Sequence, residues 1–229
     1  NPNDFTQVVY GDNNVKNVKL DEDHGTHVAG IIAAKRNNGM GMNGVANNVE
    51  IMPIRVVPNG DEYDKDVYLA IKFAVDNGAK IINTSFGKYY SPDSDKVREA
   101  IAYAGQNDVL IVNAAGNEGN DPWYYMNSPA DGPSVLSIGA VDATGTIASF
   151  SSYGPTSDGR VKPDVCAKGA GVYIIDASGN IAPSNGTSFA SPILTGAVTC
   201  LWQAFPEKNN IEITQLVKES AHLFNNPTV

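Results

Sequence analysis

The spacing of apolar residues predicts helices and strands that alternate along most of the chain. Apolar positions recur every three or four residues over residues 24–37, 65–76, 94–106, 188–205 and 211–222, as expected for helices that bury one face. Between them lie short apolar runs of strand length, at residues 51–57, 80–84, 109–114, 135–141 and 172–175. A further short strand is predicted at residues 7–10, and a glycine-punctuated loop at residues 39–44.

The central strands are apolar at nearly every position. Residues 81–82 and 109–112 contain only Ile, Val and Leu, whereas a strand with one wet face would alternate apolar and polar residues. Continuous apolar strands are typical of parallel sheets that helices cover on both sides. The sequence therefore predicts a doubly wound α/β fold with a mainly parallel sheet and helices on both faces.

Length and composition narrow the class of protein. The 229 residues suffice for one large α/β domain, and 42% apolar against 18% charged residues exclude intrinsic disorder. The net charge is −9 and no basic run occurs, so nucleic acid is not an expected partner. No apolar stretch is long enough to span a membrane, and the first residues lack the pattern of a signal peptide. Cys166 and Cys200 are 34 positions apart and belong to no CxxC motif.

The first segment whose side chains suit catalysis is Asp23-His24-Gly25-Thr26-His27-Val28-Ala29-Gly30. It places His24 at the start of a predicted helix, where the partial positive charge of the helix disfavours the imidazolium form. A neutral histidine there can act as a general base. Taken alone, His24 and His27 fit equally a helix cap and packing contacts, and a zinc site lacks its third ligand nearby.

Two further segments follow predicted turns. In Asn185-Gly186-Thr187-Ser188-Phe189-Ala190-Ser191-Pro192, Ser188 would present its hydroxyl and its N–H together at a helix start, and Pro192 is compatible with a first helical turn. The other reading makes Ser188 a simple N-cap. Residues 113–120 directly follow an apolar strand, where active-site loops of open α/β sheets lie, although an ordinary turn also explains them.

Together these segments resemble the signature blocks of the subtilisin-like serine proteases, the subtilases. HGTHVAG is similar to the histidine block, AAGNEG to the oxyanion-asparagine block and GTSFASP to the nucleophile block, in family order. INTSFG resembles the substrate-strand block, and KPDV, at residues 162–165, another block of the family. The likeness extends over residues 21–222. It implies one subtilisin-like peptidase domain over residues 1–229, incomplete at the N-terminus and also at the C-terminus.

The resemblance implies a serine endopeptidase that hydrolyses peptide bonds through an acyl-enzyme. Ser188 matches the nucleophile and His24 the general base that takes its proton. Asn117 matches the asparagine whose side chain stabilises the oxyanion together with the Ser188 N–H. His27 has no catalytic role in this assignment.

The family also implies a substrate site for extended polypeptides. Two backbone segments would pair with the substrate: Gly60, Asp61 and Glu62, and Ser85, Phe86 and Gly87. The second segment would also form one wall of the primary pocket, opposite Ala114, Ala115 and Gly116, and Asn127 would form the floor of that pocket. An uncharged floor favours medium or large uncharged side chains. Asp61 and Glu62 on the rim favour basic residues further upstream in the substrate. Polypeptides are the expected partners, and the propeptide of the protease itself is a candidate partner.

No cofactor is expected for catalysis, whereas a structural calcium ion is an open prediction. The loop of residues 37–44 resembles a calcium-binding loop of many subtilases, with Asn38 as its side-chain ligand. The acidic ligand of the family has no counterpart near the start of this chain. The resemblance places the protein outside the cell or in the cell envelope.

One family feature is missing from the sequence. Subtilases carry a catalytic aspartate in an Asp-Thr-Gly or Asp-Ser-Gly turn upstream of the histidine block, and Asp12, Asp21 and Asp23 do not fit that pattern. We therefore expect a central part of a longer protease, nearly inactive by itself. The alternatives are a catalytically impaired protease-like binding domain and, with no nucleotide-binding motif to support it, a small-ligand α/β protein.

Overall fold

The computed structural model describes residues 4–6, 11–16, 23–57 and 62–226. Its helices are α1 (His24–Ala33), α2 (Asp64–Asp76), α3 (Ser94–Gln106), α4 (Thr187–Ala204) and α5 (Asn210–Glu219). Its strands are β1 (Ile81–Thr84), β2 (Leu110–Ala114), β3 (Val135–Val141), β4 (Val165–Lys168), β5 (Val172–Ile175) and β6 (Ile181–Ser184). The elements agree with the predicted helices to within three residues, except that α1 ends before residue 37.

Strands β1 to β4 form one parallel sheet in the order β1-β2-β3-β4. Ile82 of β1 pairs with Ile111 of β2, and Val112 pairs with Leu136 of β3. All five residues of β2 are buried, which explains why its sequence lacks polar alternation. The predicted mainly parallel sheet is confirmed.

Helices cover both faces of this sheet. On one face, α2 and α3 pack against Val109, Ile111 and Val135. On the other, α4 and α5 pack against Leu110, Val112 and other residues of β2 to β4. Successive residues of β2 thus point to opposite layers, as strand geometry requires. The doubly wound α/β class predicted from the sequence is confirmed.

The structure departs from the predicted strands at two places, and a third predicted strand cannot be compared. The predicted strand at residues 51–57 is wrong: the segment has no regular structure, Ile51 is 42% exposed and Pro53 supplies no N–H for a ladder. Strand β6 was not predicted, because Ile-Ala-Pro-Ser has no apolar pattern; it pairs antiparallel with β5 in a separate two-stranded sheet. The strand predicted at residues 7–10 lies outside the described residues.

A buried ion network holds β3 against the segment that leads into β4. Asp164 Oδ2 accepts hydrogen bonds from the Ser137 N–H (2.8 Å) and from Lys162 Nζ (2.5 Å), and Asp164 Oδ1 pairs with Lys218 Nζ (2.9 Å). Burial by itself raises the pKa of the Asp164 carboxyl, but Lys162 and these hydrogen bonds outweigh it and hold the pKa below the ordinary 3.8. For Lys162 the balance is the opposite: burial outweighs the attraction of Asp164 and lowers the pKa of its ammonium group below 10.5.

The variant Asp164→Asn is expected to lose about 3–5 kcal/mol of unfolding free energy near neutral pH, because Lys162 stays buried without its counter-charge. A carboxyl with a lowered folded pKa stabilises the fold above 3.8, and this contribution disappears as the pH falls through the folded value. The difference between the two proteins should therefore shrink in acid. Urea unfolding across this pH range measures it. Asp95→Asn, at a surface carboxylate that is 93% exposed, is the control and should change stability little.

Candidate active site

A cleft of about 2200 Å³ runs along β1 and past the C-terminal ends of β1 and β2 to the start of α4. The C-terminal end of the sheet is where open α/β sheets place their ligand sites, since the loops that follow neighbouring strands converge there. The residues that line the cleft include most of the predicted site: His24, Asn38, Glu62, Ser85, Phe86, Gly87, Ala114, Gly116, Asn117, Asn127 and Ser188.

Ser188 is the second residue of α4, where backbone N–H groups have no partner within the helix. The N-cap is Gly186, so the reading of Ser188 as a simple N-cap is wrong. Ser188 Oγ donates to the Ser85 carbonyl (3.1 Å), and Ser85 Oγ donates to the Ser188 carbonyl (3.0 Å). Two reciprocal hydrogen bonds therefore fix the end of β1 against the start of α4.

Pro192 explains why the Ser188 carbonyl is free for this contact. In an α-helix the N–H of residue 192 would donate to the carbonyl of residue 188, but proline has no N–H. Pro192 lies in the second turn of α4 rather than in the first turn predicted from the sequence. Its position releases the Ser188 carbonyl to accept from Ser85 Oγ.

Asn117 is oriented by Thr187. Asn117 Oδ1 accepts the Thr187 N–H (2.8 Å) and lies 3.1 Å from Thr187 Oγ1, which also donates to the Gly116 carbonyl (3.1 Å). With its oxygen engaged, the carboxamide retains its NH₂ group as a free donor in the cleft. Gly116 has φ +117°, and a Cβ there would lie 2.3 Å from Glu118 Oε2, so the turn that presents Asn117 requires glycine.

His24 is the first residue of α1, and its ring contacts the ring of Phe189 at a centroid distance of 6.0 Å. His24 lines the cleft and is exposed to solvent there. Desolvation by the protein atoms around its ring, with a smaller effect from His27, lowers the pKa of His24 below 6.5. Neutral imidazole is therefore the dominant form near pH 7, as general-base chemistry requires.

No carboxylate in the described residues hydrogen-bonds to His24. Asp23 Oδ2 instead lies 3.2 Å from Nε2 of His27, so the nearest acidic residue in sequence pairs with the other histidine. Asp12 Oδ1 accepts the N–H of Asn14 (2.8 Å) at an exposed turn. Asp21 lies outside the described residues.

Ser85, Phe86, Gly87 and Asn127 lie together, as predicted for a substrate pocket. A Cβ on Gly87 would lie 2.9 Å from the Asn127 Cβ. The backbone of the predicted pocket wall can therefore approach Asn127, the predicted floor, this closely only at a glycine. Asn127 is 5% exposed and its Oδ1 has no hydrogen-bond partner in the described structure. An unpartnered amide at the base of a cleft is available to a ligand.

Ala115 is placed differently from its sequence prediction. Its side chain is fully buried with Met126 and Ala130 and does not line the cleft. Its carbonyl accepts the Asn127 N–H (3.1 Å), and its own N–H donates to Ile138. Ala115 therefore supports the pocket floor from behind.

The other predicted substrate segment is only partly described. Gly60 and Asp61 lie outside the described residues. Glu62 lines the cleft, and its carbonyl accepts a hydrogen bond from Lys88 Nζ, which also pairs with Asp64 Oδ1 at 2.7 Å. Lys88 thereby ties the segment that enters α2 to the segment that follows β1.

Two asparagines that the sequence reasoning left without a role position the site. Asn113 Nδ2 donates to the carbonyls of Thr84 and Phe86 (2.8 and 3.0 Å), which joins the ends of β1 and β2. Asn83 Oδ1 accepts from Ser191 and Thr195 of α4, each at 2.9 Å. The available signal was a polar residue inside an otherwise apolar strand, since buried amides must find partners.

The predicted calcium loop has an incomplete ligand set in the described residues. Asn38 Oδ1, the proposed side-chain ligand, accepts the Met40 N–H at 3.0 Å. The described residues contain no group of three acidic, histidine or cysteine side chains that could hold a metal. Calcium requires six to eight oxygen ligands, usually with carboxylates among them. These residues do not fit a calcium site by themselves, and calcium stays a prediction.

Comparison with known proteins agrees with this geometry. The sequence model described as the subtilase family matches residues 2–228. The chain belongs to the subtilase family. This subtilase chain is 37% identical over 199 residues to the thermophilic serine proteinase of Bacillus sp. strain AK1, covering 86% of the chain and 46% of that protein. It is also 37% identical over 206 residues to the cell wall-associated protease of Bacillus subtilis strain 168, covering 90% and 22%.

Solved structures show the same subtilisin-like fold. The S41 psychrophilic protease superposes with a TM-score of 0.76 at 31% identity, covering 87% of this chain and 69% of that one. The subtilase chain spans about half or less of the two curated relatives described above. Within the described ranges, no helix has the length and apolar character needed to cross a membrane.

The histidine that faces the cleft should titrate below 6.5, and His27→Gln should raise its midpoint because a like charge is removed. Proton NMR across a pH series measures this, and the chain contains only three histidines. The His24→Gln variant identifies the resonance by its disappearance. A His24 midpoint at or above 6.5 would contradict the proposed environment of this ring.

Proposed function

We propose that this subtilase is a serine endopeptidase in which Ser188 is the nucleophile, His24 the general base and Asn117 a donor to the oxyanion. The observation that carries the proposal is the orientation of Asn117: its oxygen is held by the Thr187 N–H at 2.8 Å, one residue before Ser188. A carboxamide fixed in this way offers its NH₂ group beside the free N–H at the start of α4.

In the proposed reaction, Ser188 Oγ attacks the carbonyl carbon of the scissile peptide bond while His24 accepts the hydroxyl proton. The tetrahedral intermediate collapses to an acyl-enzyme when the protonated His24 returns that proton to the leaving amine. Water, deprotonated by His24, then releases the acid product. In this structure the Ser188 hydroxyl donates to the Ser85 carbonyl, so the proposed reaction requires the hydroxyl to turn from this acceptor towards His24.

In the proposed reaction, the Ser188 N–H and the Asn117 NH₂ group stabilise the oxyanion. The N–H of Ser188 has no acceptor in the described structure because it lies in the first turn of α4. The NH₂ group of Asn117 has its orientation set by the engaged oxygen. Because the protein has oriented both donors in advance, they need little reorganisation as negative charge develops on the carbonyl oxygen.

The proposed substrates are extended polypeptides. Ser85, Phe86 and Gly87 leave β1 along the cleft and would pair with the substrate backbone, with Gly60 and Asp61 of the other segment opposite. Asn127 would form the floor of the primary pocket, which suits medium or large uncharged side chains. Ala115 contributes through its hydrogen bond to Asn127 rather than through its side chain.

The remaining family features belong to this proposal as well. We assign residues 1–229 to one subtilisin-like peptidase domain that is secreted or held in the cell envelope, and its propeptide is a proposed partner. A carboxylate to orient His24 is required for full activity, and the described residues supply none. A catalytically impaired, peptide-binding domain is the competing proposal, favoured by the pairing of Asp23 with His27 rather than with His24.

A fluorophosphonate reagent tests the proposal directly. The intact mass of the purified full-length protein should rise by one adduct, and peptide mapping should place that adduct on Ser188, since only an activated serine reacts rapidly. Ser188→Ala should abolish the adduct. Ser157→Ala, at an exposed serine outside the cleft, is the matched control and should leave it unchanged. A protein that binds peptides but forms no adduct would favour the impaired binding domain.

Asn117→Ala should lower kcat by about 100- to 1,000-fold, the loss known for removal of this kind of donor in subtilisin, with little change in KM. The reason is that the donor acts mainly on the charged intermediate. Steady-state hydrolysis of a peptide p-nitroanilide measures both constants. An activity within a few-fold of the unmodified protein would remove Asn117 from the oxyanion site.

A further inference from the structure

Six aromatic residues form a partly exposed surface that the proposed reaction does not use. They include five of the ten tyrosines of the chain and one of its two tryptophans. We call this surface the aromatic platform; its members are Tyr89, Tyr90, Trp123, Tyr124, Tyr125 and Tyr153. Tyr89 is 53% exposed, Tyr90 77% and Trp123 41%. Exposed aromatic residues grouped in this way mark binding surfaces more often than isolated ones do.

Five of the six rings of the aromatic platform contact one another, and Tyr90 belongs to it as the neighbour of Tyr89 in sequence. Tyr89 stacks on Trp123 with a centroid distance of 5.4 Å, and Tyr124 stacks on Tyr153 at 4.6 Å with nearly parallel planes. The N–H of Tyr153 donates to the carbonyl of Tyr124 (3.1 Å). Tyr124 adopts a left-handed backbone conformation with φ +62°, which is uncommon for a large side chain. The loop is thus held in a shape that keeps its rings at the surface.

The aromatic platform is continuous with the active-site cleft. Tyr89 follows Gly87 of the pocket wall by two residues, and Tyr125 precedes Asn127 of the floor by two residues. Lys88 and Ser128 join these segments through a pair of backbone hydrogen bonds (3.0 and 2.9 Å). A polypeptide that occupies the cleft can therefore reach the aromatic platform without leaving the surface.

The charges around the aromatic platform are negative. Tyr89 lies within the electrostatic reach of Glu118 and Asp121: partial desolvation and then these two carboxylates raise the pKa of its hydroxyl. Lys88 is the adjacent cation in sequence, but its ammonium group pairs with Asp64 and bonds to the Glu62 carbonyl, away from the rings. In the described structure Glu118 Oε2 accepts a hydrogen bond from Ser152 Oγ (2.8 Å), but neither carboxylate forms an ion pair with a described cation. Electron-rich ring faces next to such carboxylates attract cationic side chains.

We propose that the aromatic platform and Asp121, with Glu118 at the border between the platform and the cleft, form an exosite that binds an arginine or lysine side chain of the polypeptide substrate beside the primary pocket. This inference rests on the proposed endopeptidase function and adds a substrate class to it. These residues are separate in sequence from Asp61 and Glu62, for which the sequence alone predicted a preference for basic residues. Arginine is the better occupant, because its planar guanidinium group stacks on an aromatic ring and still bonds to carboxylates.

Binding to the Ser188→Ala protein tests the exosite without cleavage. The probes are fluorescein-labelled decapeptides in which one arginine is moved along an otherwise uncharged sequence, each compared with the glutamine version by fluorescence anisotropy. In the matching register the arginine peptide should bind about three- to tenfold more tightly, as expected for a cation on exposed rings and carboxylates. The gain should fall as salt is added.

The variants separate this exosite from other basic sites. Trp123→Ala, Tyr89→Ala and Asp121→Asn should each reduce the arginine gain to less than twofold. Tyr173→Ala, at a tyrosine of β5 that is 61% exposed, is the matched control and should leave the gain intact. If the gain is absent in every register, or survives in the Trp123→Ala protein, the exosite is wrong.

Two further measurements distinguish the possible failures. Fluorophosphonate labelling of Ser188 in the Trp123→Ala protein should match that of the unmodified protein, which also shows that the variant folds. Labelling without any arginine gain overturns the exosite and leaves the proposed enzyme standing. An arginine gain without labelling supports the exosite and contradicts the enzyme. Quenching of Trp123 fluorescence by chitohexaose, with no arginine gain, would instead identify a carbohydrate surface and overturn the proposal.

Discussion

The buried polar contact between β1 and α4 fixes the register of Ser188 against Ser85, on which the rest of the proposed site depends. Asn83 lies in β1, and its Oδ1 receives hydroxyl groups from Ser191 and Thr195 on successive turns of α4, while its Nδ2 donates to Ser85 Oγ. Ser191 and Thr195 are buried. A slide of α4 along the sheet would leave these groups without partners at a cost of about 1–3 kcal/mol each. Apolar packing alone permits several registers, whereas this contact permits one.

Similar polar contacts occur beside it at the same end of the sheet. Asn113 joins β2 to the residues that follow β1, and Thr187 joins the loop after β2 to the start of α4. Each contact places one polar side chain where two or three backbone groups would otherwise be buried without partners. Together they hold Ser85, Asn117 and Ser188 in fixed relation. The glycine at position 116 and the proline at position 192 then provide a tight turn and a free carbonyl that other residues would block.

Electrostatics divides the cleft into regions with different tasks. Around His24, desolvation by neighbouring protein atoms favours the neutral base. At the floor of the primary pocket, Asn127 offers an unpaired amide oxygen without a formal charge. The proposed exosite adds electron-rich rings and the carboxylates of Glu118, at the border of the cleft, and Asp121. An enzyme with this arrangement would choose its cleavage site by an uncharged residue in the pocket and improve its affinity by a basic residue elsewhere. The two contributions can vary independently, because different segments of the chain supply them.

The order of apolar and polar residues was sufficient to predict the layers of the fold, and three short motifs were sufficient to indicate the family. Continuous apolar strands and amphipathic helices specify a covered parallel sheet, because no other arrangement buries them, and the order of His24, Asn117 and Ser188 carries the family resemblance. The pattern failed at residues 51–57, where apolar character suggested a strand, and at β6, whose sequence has none. Of the predicted wall segment, Ala114 and Gly116 line the cleft, whereas the pattern could not show that the Ala115 methyl group packs with Met126 behind it. Whether a segment pairs as a strand, and which way a side chain faces, depends on the residues that the folded chain places beside it. Hydrogen bonds between Asn83 and Thr195, or between Asn117 and Thr187, join residues that are 112 and 70 positions apart, so no local spacing encodes them and they exist only once the chain has folded.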